Sequence, residues 1–333
     1  MSFYSVFSRL STTRRVLLAA ALALTTASAS AQGAYPNKPV NFIVGWPPGG
    51  STDYIARVIA PELGKQLGTT VVVDNVPGAG SVVGLQKAFN AAPDGYNVYL
   101  GGTELIVPPM VNSKVQYDWK SKLTPVGQFA FVWFVLAAPT NAPYNNMREF
   151  IDHAKKNPDK VAYASAGVAS TQHMLGELIR ERSGAPIVHV PYRGGPQFTQ
   201  DLLAGNVDTA WLTVAGMLAL VPGGKVKAIA VSSDKRVGQL PDVPALSEAR
   251  EMTGVSMGAW MGLFVPVGTP PSVLQRLSVA LEATMKSAAV REPLEKAGAI
   301  VKHTDGPTFS RFIDGEVSSY RRVVDFAKMK VTE

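Results

Sequence analysis

The chain has 333 residues, 32 Lys and Arg against 25 Asp and Glu, a formal net charge of +7 and no cysteine. The missing thiol excludes disulfides, thiolate catalysis and thiolate metal sites, so stability rests on packing. No Lys/Arg run or aromatic-basic cluster accompanies the mild positive excess, which argues against a nucleic-acid binder and leaves an anion-friendly surface.

Residues 1–31 read as a secretory signal peptide. Arg9, Arg14 and Arg15 precede a short apolar stretch, Val16 to Leu24, and Ala29-Ser30-Ala31 has the small-x-small form of a cleavage site. The stretch is too short to span a bilayer, and no later segment offers about 20 uninterrupted apolar residues. Removal near Ala31 leaves 302 residues with a net charge of +4, since the leader holds three arginines and no acids. That length suits about two domains.

From Val40 onward short apolar strands alternate with helical patterns, as in α/β folds with covered parallel sheets. The first strand, Val40 to Val44, runs into "GWPPGGSTD" at 45–53 and then a helix over Thr52 to Leu67. Gly45 and Gly50 have phosphate-loop spacing, but Ser51 stands where that loop needs its lysine. Gly49 and Gly50 let the backbone approach a ligand, Pro47-Pro48 stiffens the entry, and Ser51 or Thr52 can cap the helix. A carboxylate suits such a helix start. Trp46, inside the loop, either covers one face of a flat ligand or seals a cleft.

Val71 to Val73 leads to a second glycine cluster, Gly78-Ala79-Gly80 with Gly84. Asp74, Asn75, Val76 and Pro77 intervene before the glycines, so the dinucleotide fingerprint is weak and close helix–strand packing accounts for them equally well. After Asn97 to Leu100, the segment 126–140 is longer than an ordinary buried strand, and a second long strand at 259–270 follows about 130 residues later. Together they bracket strands at Val161 to Ala164, Ile187 to Val190, Thr209 to Leu212 and Lys227 to Val231. Helices are expected at Met174 to Arg182 and Phe198 to Leu203. The pattern suggests one domain inserted into another; a single large sheet is the alternative. The last 60 residues read as mostly helical, with Ser272 to Lys286 and Phe309 to Phe326 the clearest segments.

"ASAGVASTQH" at 164–173 is a second small-residue turn at a helix start, so two anion-accepting sites fit one ligand gripped between two lobes. Catalytic sets are thin. His153, His173, His189 and His303 have no metal-ligand spacing, and a hydrolase would have to assemble Ser170 or Ser51 with His173 by tertiary folding. Trp133, Trp211 and Trp260, in or beside strands, read as packing residues.

The segments "YPNKPVNFIVGWPPGGSTDYIAR", "VVVDNVPGAGSVVG", "PDGY", "HVPYRGGPQFTQDLLAGNVD", "KAIAVSSDKR", "LPDVPALSEA" and "GLFVPVGTP" occur in this order from Tyr35 to the C-terminus. This series resembles the Bug family, TctC-like periplasmic solute-binding proteins of tripartite tricarboxylate transporters. The resemblance implies an α/β two-lobe periplasmic binding protein fold, with two parallel-rich sheets flanked by helices and joined by two crossover strands. The expected divisions are a signal peptide at 1–31, one lobe from 32–132 and 258–333, and the other from 133–257.

It implies an interlobe carboxylate site made by Trp46, Gly49, Gly50, Ser51, Thr52 and Asp53 of one loop. Ser165, Ala166, Gly167, Ser170 and Thr171 come from the other, with Tyr192 and Asp208 on the second lobe's cleft side. Three positions depart from the family's pattern: Trp46 for phenylalanine, Val76 for arginine and Ala169 for glycine. The expected protein is a periplasmic receptor, not an enzyme, with no cofactor and no metal. It would act as a monomer that delivers an organic carboxylate, aromatic acids included, to the transporter's membrane subunits. A periplasmic hydrolase and a ligand-presenting partner of a membrane sensor are the alternatives.

Overall fold

The computed structural model describes residues 35–329; the expected signal peptide lies outside the described residues. Among the described residues eleven strands form two sheets. They are β1 (Val40–Val44), β2 (Val71–Asn75), β3 (Asn97–Gly101), β4 (Leu123–Val132), β5 (Phe134–Pro139) and β6 (Val161–Ser165). The others are β7 (Ile187–Pro191), β8 (Thr209–Thr213), β9 (Val226–Val231), β10 (Ala259–Pro266) and β11 (Ala299–Asp305). The helices are α1 (Ser51–Leu67), α2 (Val82–Phe89), the short α3 (Pro108–Val111), α4 (Met147–Lys156) and α5 (Thr171–Ser183). They continue with α6 (Gly195–Ala204), α7 (Val214–Leu220), α8 (Pro271–Lys286), α9 (Ala288–Lys296) and α10 (Gly306–Ala327).

One sheet has six strands in the order β11-β4-β10-β3-β1-β2 and the other five in the order β7-β6-β8-β5-β9. Both are mixed rather than uniformly parallel. β1 pairs parallel with β2 and β3, and β6 with β7 and β8, as their buried apolar runs require. The strands that pass between sheets bring the antiparallel pairs: β10 with β3 and β4, and β5 with β8 and β9. This is a two-lobe α/β fold.

The apolar segment 126–140 is not one strand. It breaks at Trp133, where β4 leaves the first sheet and β5 enters the second; the Trp133 carbonyl accepts from the Val214 amide of α7. The chain returns between β9 and β10. Behind this crossing, α5 of the second lobe packs on α10 of the first.

The C-terminal region is mostly helical, in α8, α9 and α10, and holds one strand among those helices. β11 lies at the sheet edge on β4, with Ala299 buried and Ile300 44% exposed. Its polar "KHTD" end has no strand-like apolar pattern, so pairing with β4 decides its conformation. α4 carries a local signal of its own. Asn146 accepts from the Glu149 amide while Glu149 accepts from the Asn145 amide, a variant of the capping box.

The second glycine cluster serves packing. A Cβ on Gly84 would stand 2.7 Å from the Gly45 Cα and 2.9 Å from the Val76 carbonyl oxygen. Helix α2 therefore lies directly on the chain entering the Trp46 loop.

Candidate functional site

The carboxyl ends of the parallel strands from both lobes face one cavity of about 510 Å³. This is where open α/β sheets place their ligands. β1 supplies the loop 45–50, β3 the turn through Thr103 and Glu104, β6 the loop 165–170, and β8 Thr213. The lobes meet at its mouth, where Gly194 lies against the Pro47 ring, and again where Gly80 approaches the Val168 carbonyl.

The first loop is held from behind. Asp53, 4% exposed, accepts from the Gly49 amide at 2.9 Å and from Arg57 at 2.9 and 3.0 Å. Arg57 also donates to Asn75, whose amide donates to the Trp46 carbonyl. Burial alone would raise the Asp53 pKa, but the hydrogen bonds from Arg57, Gly49 and Asn75 hold it below the ordinary aspartate value. Gly49 has φ +82°, a left-handed conformation that favours glycine.

Neither Ser51 nor Thr52 caps α1. Its N-cap is Gly50, which has no side chain to offer, so no side chain caps the first amides. Ser51 and Thr52 line the cavity at this uncapped start.

The second loop is organised by a histidine pair. His173 and His189 stack with ring centroids 3.8 Å apart. His189 Nε2 is 2.6 Å from Ser165 Oγ, and His173 Nδ1 accepts from the Ala169 amide at 3.2 Å. Ala169 sits at φ +68°, where the glycine of the family's pattern would be unstrained. Burial pushes the His173 pKa down to about 3, helped by His189 and Arg180, and burial pushes that of His189 to about 4. Both rings are neutral at pH 7.

The serines and histidines are committed to this scaffold. Ser170 Oγ donates to the Gly167 carbonyl and accepts from the His173 amide as the N-cap of α5, while Ser165 is fully buried.

Of the residues expected at the site, Trp46, Gly49, Gly50, Ser51 and Thr52 line the cavity from the first loop, and Ala166, Ser170 and Thr171 from the second. The others lie outside its wall. Asp53 is turned into the loop, and Ser165 and Gly167 support theirs from beneath. The Tyr192 hydroxyl donates to Asp201 at 2.6 Å, with its pKa raised to about 12 by burial and by Asp201. Asp208 accepts from the Ala162 amide at 2.8 Å, at the far end of β6 from the cavity, because it precedes rather than follows β8.

Further residues complete the wall. Gly194 and Gly195 form another start, that of α6, with no side-chain cap. "RGGP" was its local signal, by the same glycine logic as the first loop. Thr103 and Glu104 follow β3, and Thr103 Oγ1 lies 3.4 Å from Thr171 Oγ1 across the lobes. Trp46 both lines the cavity and packs against the second lobe's apolar core.

Among the described residues no cluster of His, Cys, Asp and Glu could hold a metal, and no helix is long and apolar enough to cross a membrane.

Residues 55–328 match the model of the family described as the tripartite tricarboxylate transporter family receptor. A Pseudomonas sp. strain P51 protein, the UPF0065 protein in the tcbD-tcbE intergenic region, is 35% identical over 287 residues, covering 86% of this chain and 85% of its own. The structure of periplasmic binding protein BugD superposes with a TM-score of 0.83 at 31% identity, covering 89% of this chain and 99% of that one. MatC from Rhodopseudomonas palustris with bound malate gives 0.81 at 28% identity, covering 87% of this chain and 100% of that one.

Proposed function

The chain belongs to the tripartite tricarboxylate transporter receptor family, and on that premise we propose that it captures an organic carboxylate between its lobes and delivers it to a transporter's membrane subunits. The observation that carries this reading is the uncapped start of α1 on a cavity whose wall, among the described residues, contains no lysine, arginine or histidine. Backbone amides and the helix dipole are then the natural partners of an anion. The malate in MatC agrees with this chemistry.

In this mechanism the carboxylate pairs with the amides of α1 and the Ser51 and Thr52 hydroxyls, and the second loop closes over it through Ser170 and Thr171. Trp46 covers the ligand's body, and its flat indole favours aromatic acids. Residues 133–257 swing as one body against 32–132 and 258–333. The protein acts as a monomer and catalyses no reaction. A thermal-shift panel of aliphatic and aromatic acids tests the reading, because a ligand that binds only the folded form raises its melting temperature. Small-angle scattering with the best acid should show a smaller radius of gyration, as expected when a ligand favours the closed state. No stabilisation by any acid, or an unchanged scattering profile at saturation, would count against it.

Residues 1–31 direct export to the periplasm. Mature protein from the native host should begin near Gln32; N-terminal sequencing that finds Met1 on cytoplasmic material would reject this.

A further inference from the structure

Resting on the carboxylate-receptor reading, we propose that Glu104 sets the charge limit of the cavity: one ionised ligand carboxylate enters freely, and a second enters only with a proton.

Glu104 is the one acidic side chain among the described wall residues, and no lysine, arginine or histidine shares that wall. It is 4% exposed. Its Oε1 accepts from the Tyr99 hydroxyl and the Gly102 amide, each at 2.8 Å. The groups packed around it are neutral. The Tyr99 hydroxyl on β3 accepts in turn from Ser81 Oγ at 3.1 Å, Tyr117 donates to the Glu104 main-chain carbonyl, and β10 brings the Trp260 carbonyl against Gly102. Burial pushes the Glu104 carboxyl above its ordinary value, and burial with the nearby Glu104 pushes Tyr99 and Tyr117 up as well. Among the described residues no cation pairs with this carboxyl.

A ligand carboxylate at the α1 start gains amides and a helix dipole. A second one in the same 510 Å³ space meets Glu104 at low dielectric, where two like charges cannot both stay ionised cheaply. The penalty falls on dianions, or is relieved when Glu104 or the ligand takes up a proton. The favoured ligand therefore carries one carboxylate and a neutral polar group at its other end.

The test uses isosteric pairs differing by one charge: terephthalate against 4-carbamoylbenzoate, and adipate against its monoamide. Calorimetry at pH 7 compares the wild type with Glu104→Gln, which keeps the volume and the acceptor for Tyr99 and Gly102. The substitution should shift the diacid-to-monoacid affinity ratio toward the diacid by about tenfold or more, since one pKa unit corresponds to a factor of ten. In the wild type, binding of the diacid should take up about one proton more than binding of the monoacid, read from buffers of different ionisation enthalpy. That second measurement decides the matter if Glu104→Gln does not fold. Diacid binding without excess proton uptake, or an unchanged ratio in the variant, overturns the charge limit while leaving the receptor reading intact. If neither pair binds, the best diacid of the thermal-shift panel and its monoamide take their place; binding of no acid at all removes the carboxylate reading and the charge limit with it.

Discussion

Acidification from pH 6.5 to pH 5 should cost this fold about 2 kcal/mol for each of His173 and His189. In the native state their pKa values lie at about 3 and about 4, well below the ordinary 6.5. The unfolded chain therefore binds protons in this window that the folded chain refuses. Stability from the pair is complete above pH 6.5, falls with pH through the window, and levels off only near the folded values. The physical cost is that of charging two stacked rings in a buried site, where like charges would face each other at 3.8 Å. Carboxylates with lowered values, such as Glu248 at about 2, act in the same direction but below pH 4.5. The two contributions are thus separable. Denaturant midpoints at pH 6.5, 5.7 and 5.0 would measure the slope, and His189→Asn should roughly halve it. A flat profile, or a ring titrating near 6.5 by NMR, would show that the pair is not buried as described.

Replacing Trp46 by alanine should weaken an aromatic acid by about 2 kcal/mol, roughly thirtyfold. Aromatic contact is worth about 0.5–1.5 kcal/mol beyond area burial, and the buried area of the indole is lost as well. The backbone should stay in place, because the Trp46 carbonyl is fixed by Asn75 and the loop by Asp53. Ser51→Ala should instead weaken every carboxylate alike, since it sits at the helix start. Calorimetry of both variants against an aromatic acid and a ring-free acid of similar span separates the roles. Equal losses for both acids in Trp46→Ala would make the indole a wall of the cleft, and the aromatic preference would fall.

Much of the cavity wall is legible in the sequence, because its parts are local. The glycines at 49 and 50, the small residues from 164 to 171 and the apolar strands before them announce strand–turn–helix units whatever surrounds them. The positive φ of Gly49 and the Ser170 cap are properties of a few neighbouring residues. Family membership was legible for a related reason, since a series of such turns in fixed order is itself a sequence property. The absence of cysteine had already removed thiol chemistry.

What tertiary structure decided was non-local pairing and direction. Asp53 and Ser51 are two residues apart on one turn, yet one is drawn back to Arg57 and Asn75 while the other lines the cavity. Asp208 sits in a motif next to a cleft strand, but at the strand's other end. β11 exists because β4 offers it a partner, and β4 stops at Trp133 because the chain there changes sheets. Glu104 had no signal of its own. Its neighbours are ordinary residues, and only the packing of β3 between β10 and β1 places it in a cavity wall that, among the described residues, holds no lysine, arginine or histidine. Local periodicity and turn chemistry act over a few residues, whereas burial of charge depends on which distant elements close around it.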